Sequence, residues 1–111
     1  MNPLQNAVKK LVSLLVSGEI QEITRRGMNG RLTANEIATA ISEYPGVLSN
    51  PPDEAYDEIQ LYDVYDEVTG SRKAEFELWY DDDVSDLTLS MDIRGDQDNT
   101  YRVSIDDIHV L

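Results

Sequence analysis

The hydrophobic period of this chain changes once, at Pro51-Pro52. Before that point Leu4, Val8, Leu11 and Leu15 recur at three- and four-residue spacing, the period of a helix with one apolar face. After it Leu87, Leu89, Met91 and Ile93 recur at every second residue, the period of a strand with one buried face. A striped helical layer and a one-faced sheet bury each other. The expectation is therefore an α+β chain, with N-terminal helices packed on one face of a curved antiparallel meander of about four strands. At 111 residues the chain has room for one core, so residues 1–111 are read as one domain, a helical layer over 1–46 and a sheet over 57–111.

Local signals place the elements. Asn2 stands as N-cap before Pro3 at the first helical position, and Gly18 ends that helix after Ser17; Ala7, Val12 and Leu14 widen its stripe. A short second helix is expected over Glu19 to Arg26, with Ile20 and Ile23 inward, until Gly27 and Gly30 break it. Thr33 and Glu36 form a capping box that opens a third, with Ile37, Ala38, Ala40 and Ile41 inward and Tyr44-Pro45-Gly46 as its stop.

The strands follow the same logic. The first is expected around Ile59 to Val64, the second around Ala74 to Tyr80 and the third around Asp86 to Ile93. A fourth starts at Tyr101 and continues to Val110 through a bulge at Asp107. Thr69-Gly70-Ser71, Asp81-Asp82-Asp83 and Gly95-Asp96-Gln97-Asp98-Asn99 read as short turns, which favour antiparallel neighbours.

This order of elements, closed by the strand "YRVSIDDIHVL", resembles the NTF2-like, cone-shaped α+β proteins related to the cystatin fold. That resemblance implies a sheet curved into a cone, whose mouth in the enzymes of the family carries a His, Asp or Tyr. Here the inward positions are Leu, Ile, Met, Phe and Tyr, and no polar pair maps onto such a constellation. In size and charge the chain also resembles bacterial immunity proteins that neutralise secreted toxins, including those of contact-dependent inhibition systems. No functional residue carries over from that second likeness.

The net charge of −13 sits in one half. Residues 1–50 hold five cations and four acids; residues 51–111 hold four cations and eighteen acids. Such a field repels nucleic acid and anionic lipid and speeds encounter with basic proteins, so neither direct phosphate binding nor membrane binding is expected. Lys9 and Lys10 interrupt the N-terminal apolar run and no small-residue cleavage site follows, so residence in the cytoplasm is expected. With no cysteine there is no disulfide, thiolate nucleophile or Cys-based metal site.

Chemistry finds little else to stand on. The acids of "WYDDDVSD" are hard oxygen donors, but a calcium loop opened at Asp81 has Asp86 at its sixth place, and one opened at Asp96 has Tyr101, where a glycine is needed. His109, the only histidine, stands beside Asp106 and Asp107 as a general base would, yet no nucleophile or oxyanion donor is marked. The "RGD" at Arg94 to Asp96 falls where a hairpin turn is needed. No metal, no cofactor and no catalysis are expected; the alternative is a small-molecule pocket or enzyme within the cone.

What remains is a surface. Strand alternation that sends Tyr80 inward sends Glu75, Glu77 and Trp79 outward, and an exposed aromatic ringed by carboxylates has the make-up of a binding hot spot for a cationic partner. The expected partner-binding residues are Tyr62, Asp63, Tyr65, Asp66, Glu67, Glu75, Glu77, Trp79, Asp81, Asp82, Asp83 and Asp86. The expected partner is a basic toxin domain, a nuclease foremost, with a homodimer as a further arrangement.

Overall fold

A computed structural model describes residues 1–68, 70–95 and 100–110, and for residues 63–65 the backbone alone. Residues 96–99 of the turn expected at Gly95 to Asn99, with them Asp96 of the "RGD", Thr69 of the preceding turn and the side chains of Asp63 and Tyr65 therefore lie outside the described residues.

Three helices come first: α1 (Pro3–Val16), α2 (Ile20–Arg25) and α3 (Ala34–Glu43). Two of the three start on a reciprocal cap. The Asn2 carboxamide accepts from Gln5 N–H at 2.8 Å while the Gln5 side chain accepts from Asn2 N–H, and Thr33 and Glu36 exchange the same pair of bonds. The donation from Thr33 N–H to the Glu36 carboxylate also lowers the Glu36 pKa. Only Ile37 of α3 is fully buried, with Ala40 and Ile41 half-buried beside it. Ala38, expected inward, is exposed, since it stands one residue, about 100° of helix, from Ile37 and the sheet touches a narrow stripe. With so little burial to hold it, α3 depends on its cap, and Thr33→Ala should cost the protein about 1 kcal/mol in a urea unfolding experiment.

The strands are β1 (Leu48–Ser49), β2 (Gln60–Asp66), β3 (Ser71–Tyr80), β4 (Asp83–Gly95) and β5 (Tyr101–Val110), all antiparallel to their neighbours. β2 to β5 form the expected four-stranded meander. β1 is an addition that two residues of alternation could not reveal. Since β4 occupies one edge of β3, β1 and β2 share the other, β1 opposite Trp79 and Tyr80 and β2 opposite Ser71 to Glu75. The chain that leaves the sheet between them forms a 3-10 turn over Asp53–Glu58. That turn buries Tyr56 to 1% exposure, its ring stacked on Phe76 at 4.9 Å.

The core lies between the helices and one face of the sheet. Val8, Leu11, Leu15, Ile23 and Ile37 meet Ala74, Phe76, Leu78, Leu89, Met91 and Ile105. Two bulges interrupt the alternation. Ser90 pairs with Asp107 and Met91 with Ile105, so the extra residue of β5 is Asp106, one position from where it was expected. In β4, Thr88 pairs with Glu77 and Val84 with Trp79, which leaves Ser85, Asp86 and Leu87 opposite Leu78 alone. The Ser85 hydroxyl fills that gap by donating to Leu78 O at 2.5 Å and accepting from Leu87 N–H.

The free edge of β5 is covered. Ile105 N–H donates to Met28 O at 2.8 Å, and Gly30 passes so close that an added Cβ would stand 2.0 Å from Ile105 O. Arg31 donates to Asp106 O alongside it. The segment after α2 therefore blunts an edge that would otherwise offer unpaired backbone to another chain.

A candidate protein-binding face

With Phe76, Leu78 and Tyr80 turned to the helices, Lys73, Glu75, Glu77 and Trp79 of β3 face outward, and the register brings Val84, Thr88, Ser90 and Asp92 of β4 beside them. On β2, Gln60 stands opposite Glu75, and Tyr62 follows on the same face. Trp79 is half-buried and packs against the edge of the core, while Tyr62, Leu61 and Val84 are exposed.

These residues enclose a recess of about 390 Å³ where β1 and β2 leave the edge of β3 open. Tyr62 and Trp79 supply its aromatic walls, Glu58, Glu75 and Glu77 its carboxylates, and Ala55, Phe76 and Thr88 further lining; among the described residues that line it there is no cation. Thr88 is only 1% exposed although it faces outward, so this side of the sheet is partly roofed rather than open.

Glu75 is the hub. The Tyr62 hydroxyl donates to Glu75 Oε1 and the Ser90 hydroxyl to Oε2 at 3.3 Å. The donated bond raises the Tyr62 pKa, because it is lost when the phenol ionises beside a carboxylate. His109 Nε2 stands 3.9 Å from the same Oε2, and His109 Nδ1, shut off from solvent, lies 3.3 Å from Asp107 Oδ2 without a hydrogen bond. His109 thus stands near Glu75 across the sheet as well as near Asp107 on its own strand. Among the described residues no three His, Asp or Glu side chains converge as a metal ion would require.

The residues expected on one surface fall into three places. Tyr62, Glu75, Glu77 and Trp79 do come together. Asp66 and Glu67 belong to the β2–β3 turn, beside Ser71, which is nine residues along β3 from Tyr80, or about 30 Å. Asp66 Oδ1 there accepts from Val68 N–H. The third group is the β3–β4 turn. Asp81 and Asp82 make it alone, both at positive φ (52° and 61°), the backbone of a type I′ hairpin, which short polar side chains tolerate.

That turn is a joint as much as a surface. Asp81 exchanges two bonds with Val47, its N–H donating to Val47 O at 2.8 Å and its Oδ1 accepting from Val47 N–H at 3.0 Å, and Asp82 N–H donates to Ser49 Oγ. Gly46, at φ 104°, gives Asp81 Oδ2 its room; an added Cβ would stand 2.4 Å from it. Asp86 is a correction to simple alternation: the β4 bulge turns it away from Trp79 to accept the Tyr44 hydroxyl, whose pKa rises for that reason. Asp81, Asp82 and Asp83 are all exposed, and Asp81 is the one whose carboxylate holds another segment.

Residues 12–111 match the family model described as Domain of unknown function (DUF7668). The chain belongs to the DUF7668 family. Comparison with curated proteins and with solved structures gives no match. For this DUF7668 chain, then, the recess beside Trp79 is the feature from which a function has to be argued. Among the described residues no helix is long and apolar enough to cross a membrane.

Proposed function

We propose that this DUF7668 protein is a cytoplasmic binding protein for a basic partner, and that its role is to occlude a toxin, a nuclease foremost, without catalysis. The observation that carries the reading is the recess of two aromatic rings and three carboxylates, with no cation among the described residues that line it. A lysine or arginine of a partner seated there meets the faces or edges of Tyr62 and Trp79 and the charge of Glu75 and Glu77, a pairing worth about 1–2 kcal/mol from the rings alone once desolvated. The exposed Val84 gives the anchor an apolar neighbour. The excess of eighteen acids over four cations in the second half then steers the encounter. A pocket inside a cone has less support, because on the helix side Phe76, Leu78, Leu89, Met91 and Ile105 are at most 2% exposed and are given over to packing.

Trp79 is the only tryptophan, so its emission reports on the recess directly. A basic toxin recovered from lysate at low salt should shift that emission on titration, with affinity falling as salt rises. Glu75→Gln/Glu77→Gln should weaken binding at least about tenfold, a loss of about 1.4 kcal/mol. Asp82→Asn/Asp83→Asn, at the solvent-facing turn, should weaken it less. Recovery of ribosomal proteins alone, with Trp79 emission unmoved by any of them, would reduce the charge to a solubilising one.

A further inference from the structure

The cations of this protein are distributed as unevenly as its acids. Among the described residues Lys9, Arg25, Arg26, Arg31 and Lys73 are each in an ion pair, and Arg72 also has a partner. Lys10, Arg94 and Arg102 are left without one in a chain that has 22 acids for nine cations. All three line the same cleft, of about 810 Å³, together with Arg26 and Lys73. Five of the nine cations thus face one opening, and among the described residues that line it Asp66 and Asp92 are the acids.

The cleft sits at the end of the sheet where β2 turns into β3 and where β4 ends and β5 begins, walled by α1 and the segment after α2. The Asp81-Asp82 turn is at the other end of β3. The register makes the arrangement deliberate in physical terms. Arg94 and Arg102 are direct partners across β4 and β5, both exposed and on one face, and like charges directly opposite on a sheet are destabilising. An oxyanion bridging the two converts that repulsion into paired charge-assisted bonds.

We propose that this cleft binds a small phosphorylated molecule, with its phosphate held between Arg94 and Arg102 and approached by Lys10 from α1. Arg26 and Lys73 are already engaged, Arg26 through Nε to Glu22 and Lys73 through Nζ to Asp92, and contribute field more than bonds. The half-buried Tyr101 supplies an apolar wall, its ring lying over Gly95, where an added Cβ would meet Cε1 at 3.2 Å. The size of the cleft lies in the range that takes a ligand up to a mononucleotide. The net charge of −13 still disfavours an extended polyanion. At physiological salt, however, fields fade over about 8 Å, so a small anion in the cleft responds to the local cations. This site is independent of the Trp79 recess and of the partner proposed for it.

The test is calorimetric titration with inorganic pyrophosphate and with adenosine monophosphate, at constant ionic strength. Both should bind saturably, each should displace the other, and Arg94→Gln/Arg102→Gln should weaken both at least about tenfold. Arg25→Gln, whose charge pairs with Glu22 outside the cleft, should bind as the parent does. Without ligand, Arg94→Gln/Arg102→Gln should unfold at no lower urea concentration than the parent, since it relieves a repulsion; this separates loss of a ligand contact from loss of fold. Absence of saturable binding of both probes at millimolar concentration, or unchanged binding by Arg94→Gln/Arg102→Gln, would overturn the proposal.

Discussion

Gly30→Ala should lower the unfolding free energy by about 3–5 kcal/mol, much of what a domain of this size has. Two costs add. Gly30 has φ +58°, a conformation that costs an L-residue about 1–2 kcal/mol. Its Cβ would stand 2.0 Å from Ile105 O, and that atom is backbone, so no side chain can swing aside to relieve the clash. Either the segment after α2 or β5 must move, and the bond from Ile105 N–H to Met28 O is lost with the movement. Gly27→Ala is the control: φ is +70° there, but nothing lies within 4 Å of the added atom, so about 1 kcal/mol is expected. Urea midpoints of the two variants separate strain from collision. Equal losses would mean that the segment does not clamp the edge of β5. The larger loss should also bring concentration-dependent association, because an uncovered β5 edge offers its backbone to other chains.

How much of this was legible beforehand depends on how local the cause is. The period change at Pro51-Pro52, the Asn2 and Thr33 caps and the alternation from Leu87 to Ile93 are local, and the elements they announce are present. Two adjacent acids where an apolar residue was due, Asp106-Asp107, announced the β5 bulge to within one residue. Tyr56 stands among acids in sequence, which gives no sign of burial, whereas a 3-10 turn directs it onto Phe76. Asp86 left the Trp79 surface for Tyr44 through a bulge that depends on how β4 meets Leu78. The gathering of Lys10, Arg94 and Arg102 is long-range in the same way: three cations from α1, β4 and β5 become neighbours only once the sheet has formed. The nearest sequence signal was the placing of Arg94 and Arg102 on either side of one turn, which a register argument could have paired.

Alkaline pH should unfold the protein through two buried tyrosines. Tyr56 and Tyr80 are 1% and 5% exposed, and burial pushes the pKa of each from 10 up to about 12. The sign follows from which state ionises first. Below pH 10 both phenols are neutral in the folded and unfolded chains, and their contribution to stability is complete. Between 10 and about 12 the unfolded chain loses its phenol protons while the folded one keeps them, so stability falls with every step in pH. Two units are about 2.7 kcal/mol for each tyrosine, so the pair can remove about 5 kcal/mol, comparable with the whole stability of a small domain. Unfolding near pH 11, read by circular dichroism, should therefore coincide with a steep rise in phenolate absorbance. Tyr56→Phe/Tyr80→Phe removes both groups that titrate in this window under burial. It should be about 1 kcal/mol less stable at neutral pH, because the Tyr80 hydroxyl no longer donates to Ile41 O, yet flatter in its alkaline decline. If the double variant declined between pH 10 and 12 as steeply as the parent, burial of these two phenols would not be what limits the folded state at high pH.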